Sequence, residues 1–200
     1  MQKFLIGLIV VAAVGLGLSP ATASAQQGKF VVKPLVEKKV AELPAGPLFW
    51  RLENFPTVGE AQAAAGPFAL VAEAAGKVWL FTLGPSGGSS AGGTKVAEVG
   101  PLAKVVAPQY LLRINEGSGP PGSITPPHTH PGSEAFYVIQ GETSSHTPHG
   151  VKRIGVGETA PGYGADTPMQ VSSSGSTDLH SLVMFVVDAT KPFSSPAKLP

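Results

Sequence analysis

In GSITPPHTHPGSEAFYVIQG, residues 122–141, side chains of metal-ligating type and apolar side chains follow a single alternation. Successive side chains of an extended chain point to opposite faces, so His128, His130 and Glu134 fall on one face, and Phe136 and Val138 continue it. A face that ends this way is a partly apolar interior and not a solvated surface. Two imidazoles and a carboxylate are costly to bury without partners. A divalent ion resolves the conflict: neutral imidazole suits Zn, Cu, Fe or Ni, and the carboxylate widens the choice to Mn. The competing reading is a histidine-bearing loop with an incidental acid. Gly141-Glu142, a turn placed where a hairpin should reverse, favours the strand.

The chain opens with a segment of another kind. Lys3 supplies a positive charge, Phe4 to Leu18 is apolar or glycine throughout, and Ala23-Ser24-Ala25 is a cleavage site of the A-x-A type. The apolar run falls short of the roughly 20 residues that span a bilayer, and Gly7, Gly15 and Gly17 interrupt it. The expectation is a signal peptide over residues 1–25 and a mature protein that is periplasmic or secreted. Without Lys3 the remaining basic and acidic residues are equal in number. That balance gives no electrostatic reason to expect nucleic acid, or a membrane surface after cleavage, as partner. There is no cysteine, so the fold must be held by its core even in an oxidising compartment.

The 25 glycines and 20 prolines suit many short strands joined by turns. Thr57 to Ala65 is the best helix candidate, with Thr57 as N-cap, Glu60 three residues on, and Gly66-Pro67 as the stop. Phe68 to Ala74 and Lys77 to Leu83 flank Ala75-Gly76 and predict a hairpin with Trp79 and Phe81 on one face. Residues 84–93 read as a flexible Gly/Ser loop, Leu35 to Leu43 as a helical turn or an edge strand, and Lys95 to Val99 as a further strand. From Lys104 onward, short strands recur at roughly ten-residue spacing between turns, the pattern of a sandwich or barrel. The expected layout is an N-terminal extension over 26–103, a barrel over 104–190, and a Pro/Ser-rich surface tail over 191–200.

The stretch from Gly122 to Gly141 resembles the first signature motif of the cupins: Gly122, five residues, His128-x-His130, three residues, Glu134, six residues, Gly141. The resemblance implies an all-β, cupin-type β-barrel of the jelly-roll or double-stranded β-helix kind, extended by extra N-terminal strands and one short helix. It also implies one divalent metal held by His128, His130 and Glu134. Cupins often dimerise by exchanging N-terminal strands, and the arm from Phe30 to Leu52 suits that use. The second cupin motif is altered. Gly155 and Pro161 keep its separation, but Tyr163 stands at its next glycine and Asp166 at its histidine.

With an insertion, Met169 stands where the fourth ligand would be. A thioether there would favour copper, while plain core packing is the simpler role. His146 is a surface residue beside a turn or a cavity residue on a neighbouring strand. His149 reads as a surface residue, His180 as a strand-edge residue near the barrel mouth, and Tyr163 and Asp166 as turn residues on its rim. Three protein ligands with open positions belong to catalytic more than to closed structural metal sites. Two functions remain open: a binding module for a small organic ligand or for metal, and a metal-dependent dioxygenase, isomerase or decarboxylase acting on a small organic substrate. The altered second motif and the lack of a general base beside the triad lean toward binding.

Overall fold

The computed structural model describes residues 28–199, so the expected leader lies outside the described residues. The chain runs β1 (Val31–Val40), β2 (Phe49–Phe55), α1 (Val58–Ala64), β3 (Ala69–Ala74), β4 (Lys77–Gly84) and β5 (Thr94–Val99). It continues through β6 (Tyr110–Gly119), β7 (His128–Thr129), β8 (Gly132–Gln140), β9 (Thr143–Thr147) and β10 (Gly150–Ile154). Last come β11 (Thr159–Pro161), β12 (Gln170–Ser173), β13 (Leu179–Asp188) and β14 (Ser195–Pro196).

Three layers result. The central one is a five-stranded sheet in the order β1-β6-β13-β8-β11. A four-stranded sheet, β3-β4-β2-β5, covers one of its faces. The second barrel wall, on the other face, joins β10-β9-β12 to residues 124–129 and β14. Bridges between Ile124 and Ser172 and between His128 and Met169 make that join. Every strand pairing is antiparallel.

Strict alternation lets the central sheet serve both neighbours. On β6, Leu112 and Ile114 pack toward the four-stranded sheet, and so do Leu182, Met184 and Val186 on β13. They meet Trp50 and Leu52 of β2 and Trp79, Phe81 and Leu83 of β4. Both tryptophans are essentially fully buried, and burying an apolar side chain of that class contributes about 1.5–3 kcal/mol or more. The intervening residues Asn115, Ser181, Val183 and Phe185 face the other way, into the barrel.

Local signals placed the smaller elements as expected. The Thr57 hydroxyl accepts from the Glu60 backbone N–H at 3.2 Å and donates to the Glu60 carboxylate at 2.8 Å. Ala75 and Gly76, both at positive φ, turn β3 into β4. Gly122 and Gly141 have φ of 81° and 74°, and a Cβ on Gly141 would lie 2.7 Å from the Asp178 carbonyl oxygen. Both spacing glycines are therefore required by backbone geometry.

Two segments differ from the sequence reading, and a third settles an alternative that the sequence left open. Leu35 to Leu43 resolves in favour of the edge strand: β1 pairs along β6 and so lies in the barrel sheet, although it falls before the expected boundary at 104. The tail also does more than run along the surface. β14 pairs with β7, and Phe193 lines the barrel cavity.

The Gly/Ser loop after β4 is pinned by an ion pair. Glu53, fully buried, accepts from the Ser90 backbone N–H at 2.7 Å, the Ser90 hydroxyl at 2.8 Å and Arg51 Nε at 3.0 Å. Burial alone would raise the Glu53 carboxyl, but the Ser90 and Arg51 bonds together hold it below its ordinary range. Arg51 also donates to the Gly87 carbonyl and to Ser90 Oγ. Composition alone does not show this, because the anchoring acid lies more than thirty residues away.

Removing the acid would leave Arg51 without its partner and the loop without its anchor. Glu53→Ala is expected to cost about 3–5 kcal/mol, and Ser90→Ala only about 1–2 kcal/mol. Urea denaturation of both variants measures the difference. Equal effects would show that the carboxylate is not the anchor.

Candidate functional site

The two barrel walls enclose a cavity of about 470 Å3. From the central sheet come Asn115, Glu134, Phe136, Val183 and Phe185, and from the opposite wall His128, His130, Val171 and Phe193. The lining is mainly aliphatic and aromatic with a few polar groups, the usual make-up of a small-molecule site.

The shared face of residues 128, 130 and 134 survives a break in the strand between β7 and β8, and all three side chains line the cavity. His128 Nδ1 donates to the Pro126 carbonyl at 2.8 Å, and His130 Nδ1 donates to the Phe193 carbonyl at 2.7 Å. A carbonyl can only accept, so each Nδ1 carries a hydrogen, and the neutral form of either ring has its lone pair on Nε2. The two rings stand edge to face with centroids 5.0 Å apart. His130 also packs against Phe185 and Phe193, at 4.8 and 4.7 Å. Burial lowers its pKa to about 4, opposed by the bond to the Phe193 carbonyl and helped by the nearby Arg113 charge. The ring is neutral at physiological pH.

Glu134 lies deeper, 3% exposed, and its Oε1 has no hydrogen-bond partner among the described residues. Burial pushes its carboxyl up to about 8. Gly162 closes over it: the Gly162 N–H donates to the Glu134 carbonyl at 2.8 Å, and a Cβ on Gly162 would lie 2.6 Å from Glu134 Cγ.

The donor set fits a divalent ion in kind, with two imidazole lone pairs and an unpartnered carboxyl oxygen. Placement is another matter. Among the described residues no three His, Cys, Asp or Glu side chains lie close enough together to hold one ion. The histidine rings adjoin each other, and Glu134 shares their cavity without closing onto a common point with them.

The remaining candidates lie elsewhere. Met169 is buried and exchanges two backbone hydrogen bonds with His128, but it does not line the cavity. His146 is exposed on the outer side of β9, opposite Val151 and Gln170, so it does not reach the cavity. Tyr163 stacks on His149 at 5.0 Å, and the Asp166 N–H donates to the His130 carbonyl. His180 is hydrogen-bonded to Glu116, which faces Lys33 on β1.

Two contributors went unnoticed in the sequence. Asn115 is buried in the lining and accepts from Arg113 Nε at 2.9 Å. Phe193 carries Arg113 over its ring, 4.2 Å from the centroid. Extending the alternation of Leu112 and Ile114 would have placed Asn115 inside, whereas nothing local to residue 193 signals its contact with His130.

The Glu134 carboxyl ties stability to pH. In the unfolded chain it ionises near its ordinary value, about 4.3; in the fold it stays protonated up to about 8. Its contribution is therefore fully present below about 4.3 and is lost as pH rises through about 8. In metal-free protein, the stability of wild type relative to Glu134→Gln should fall across that window. The slope should be at most about 1.4 kcal/mol per pH unit. Denaturant unfolding at a series of pH values checks this, and a flat difference would mean that the carboxyl is not held neutral.

No family model and no curated protein sequence matches the chain. Similar solved structures include the DMSP lyase DddQ from Ruegeria pomeroyi, with 20% identity, TM-score 0.37, and 43% of each chain covered. The polyketide cyclase RemF from Streptomyces resistomycificus has 21% identity and TM-score 0.37 over 44% of this chain and 62% of that one. A cupin-like protein from Thermotoga maritima has 12% identity and TM-score 0.39 over 44% and 65%. The chain thus spans less than two thirds of the length of each. These are likenesses in part of the chain and assign no chemistry to it. Its own sheets carry the comparison further: two antiparallel walls enclose the residues of Gly122 to Gly141, an all-β arrangement that agrees with the resemblance of that stretch to the first cupin motif.

Proposed function

We propose that this chain is an exported binding protein that takes a small organic molecule into the cavity between its two barrel walls. The observation that carries this reading is the cavity itself, about 470 Å3, with largely apolar walls and a few polar groups, His128, His130, Glu134 and Asn115 among them. Pockets of 300–1,000 Å3 with that division hold small ligands and cofactors. An engineered cavity of about 150 Å3 takes one benzene ring, so this one has room for a molecule several times larger. A thermal-shift screen of small organic compounds tests the proposal. A ligand at one hundred times its Kd adds about 2.7 kcal/mol, and Val183→Phe, which fills the cavity, should abolish the shift. A shift that survives Val183→Phe would place binding elsewhere.

A second reading, one divalent metal held by His128, His130 and Glu134, is favoured by the tautomers and the unpartnered Glu134 oxygen. Zn, Cu, Fe, Ni and Mn all suit such donors. A bound ion would supply Lewis-acid or oxygen-activating chemistry, and the chain would then be a metal-dependent enzyme acting on the molecule in the cavity. This reading requires Glu134 to close onto the two rings. Metal analysis of purified wild type beside His128→Ala decides it. Stoichiometric metal lost in the variant supports it. No metal as isolated, with no rise in melting temperature on adding Zn or Mn, removes it and leaves the first reading standing.

A further inference from the structure

The cavity wall says more about the ligand than its size. Among the described residues no lysine or arginine lines the cavity, and the only carboxyl in the lining is Glu134. The nearest cation, Arg113, is committed elsewhere. Its Nε donates to Asn115, its Nη1 to Glu37 on β1 at 3.2 Å, and its guanidinium lies over Phe193. An anion entering the cavity would find no positive partner, and an unpaired buried charge is costly. An organic cation fares little better on the aromatic side. One approach to the Phe193 ring is taken by Arg113, and Phe185, Phe193 and His130 pack against one another.

Asn115 supplies the complementary feature. An Arg N–H can only donate, so the bond from Arg113 fixes Asn115 Oδ1 as the acceptor. The amide group left for the cavity is the NH2, a neutral donor held in one orientation on the rigid central sheet. A buried donor of this kind selects for a ligand acceptor, because a ligand without one leaves it unpaired.

Building on the cavity-binding reading, we propose that the ligand is an uncharged, largely apolar molecule bearing a carbonyl-type oxygen, and that Asn115 is the specificity-determining residue that binds this oxygen. Arg113 is its positioning residue.

Four probes of one shape separate the possibilities by calorimetry: 2-acetylnaphthalene, 2-isopropylnaphthalene, 2-naphthoate and 2-naphthamidinium. The acetyl compound is expected to bind about tenfold tighter than each of the other three. Asn115→Leu should weaken the acetyl compound about tenfold and leave the isopropyl compound unchanged. Asn115→Asp, which keeps the shape and the bond to Arg113 but removes the NH2, should give the same loss should the leucine variant fold poorly. Arg113→Gln should reduce the acetyl preference with the isopropyl affinity held. Tightest binding of the naphthoate or the amidinium overturns the inference. So does equal weakening of both neutral probes in the Asn115 variants, which would mark a structural role. If all four bind equally, or the isopropyl compound binds best, the cavity reading survives and this inference fails. If none binds, the cavity reading fails with it.

Discussion

The alternation of β13 is the constraint on which the rest of the molecule depends. Leu182, Met184 and Val186 enter the core shared with the four-stranded sheet, and Ser181, Val183 and Phe185 enter the cavity. A slip of one residue would exchange the two sets, placing serine among the tryptophans and leucine in the cavity. β6 and β8 flank β13 and carry the same division, so the three strands hold one another in register. The large outer core fixes this register at a distance from the cavity. The cavity side is then free to keep residues that contribute little to stability.

The two buried acids show that division of labour most plainly. Glu53 has both carboxylate oxygens hydrogen-bonded, to Ser90 and Arg51, and its pKa is held low. Glu134 is also buried, has an oxygen with no partner among the described residues, and sits far above its ordinary pKa because burial is unopposed. An unsatisfied buried polar atom costs about 1–3 kcal/mol. A fold that bonds both oxygens of one carboxylate and leaves an oxygen of the other without a partner gives Glu134 the capacity to bond a ligand, as the proposed function requires.

Features set by a few neighbouring residues were legible in the sequence. The Thr57 cap, the Ala75-Gly76 turn and the shared parity of His128, His130 and Glu134 all follow from rules spanning fewer than about ten residues. What escaped was fixed by distant pairing. β1 is an edge strand only because β6 offers its open edge, with Glu37 opposite Arg113. The 84–93 loop is ordered by an acid on β2, and Phe193 matters because β14 returns to β7. Periodicity tells a residue which face it occupies but not which strand will lie beside it. Even the spacing that places three ligand-type residues in one cavity does not fix whether their donor atoms meet.

The altered second motif bears on what that cavity is for. Met169, at the expected position of a fourth ligand, is tied to His128 through the backbone and lies outside the lining. The ligand-type side chains therefore all lie on one stretch, from His128 to Glu134, with Asn115 on β6 and a few hydroxyls elsewhere in the lining, while Val171, Phe136 and Val183 offer only apolar surface. A cage that surrounds an ion with donors gains little from such walls. A molecule with one polar end and an apolar body gains from all of them, since burial of the body contributes in proportion to area and the few polar groups fix its orientation. The altered ligand position and the apolar walls thus both favour the proposed organic ligand over an ion.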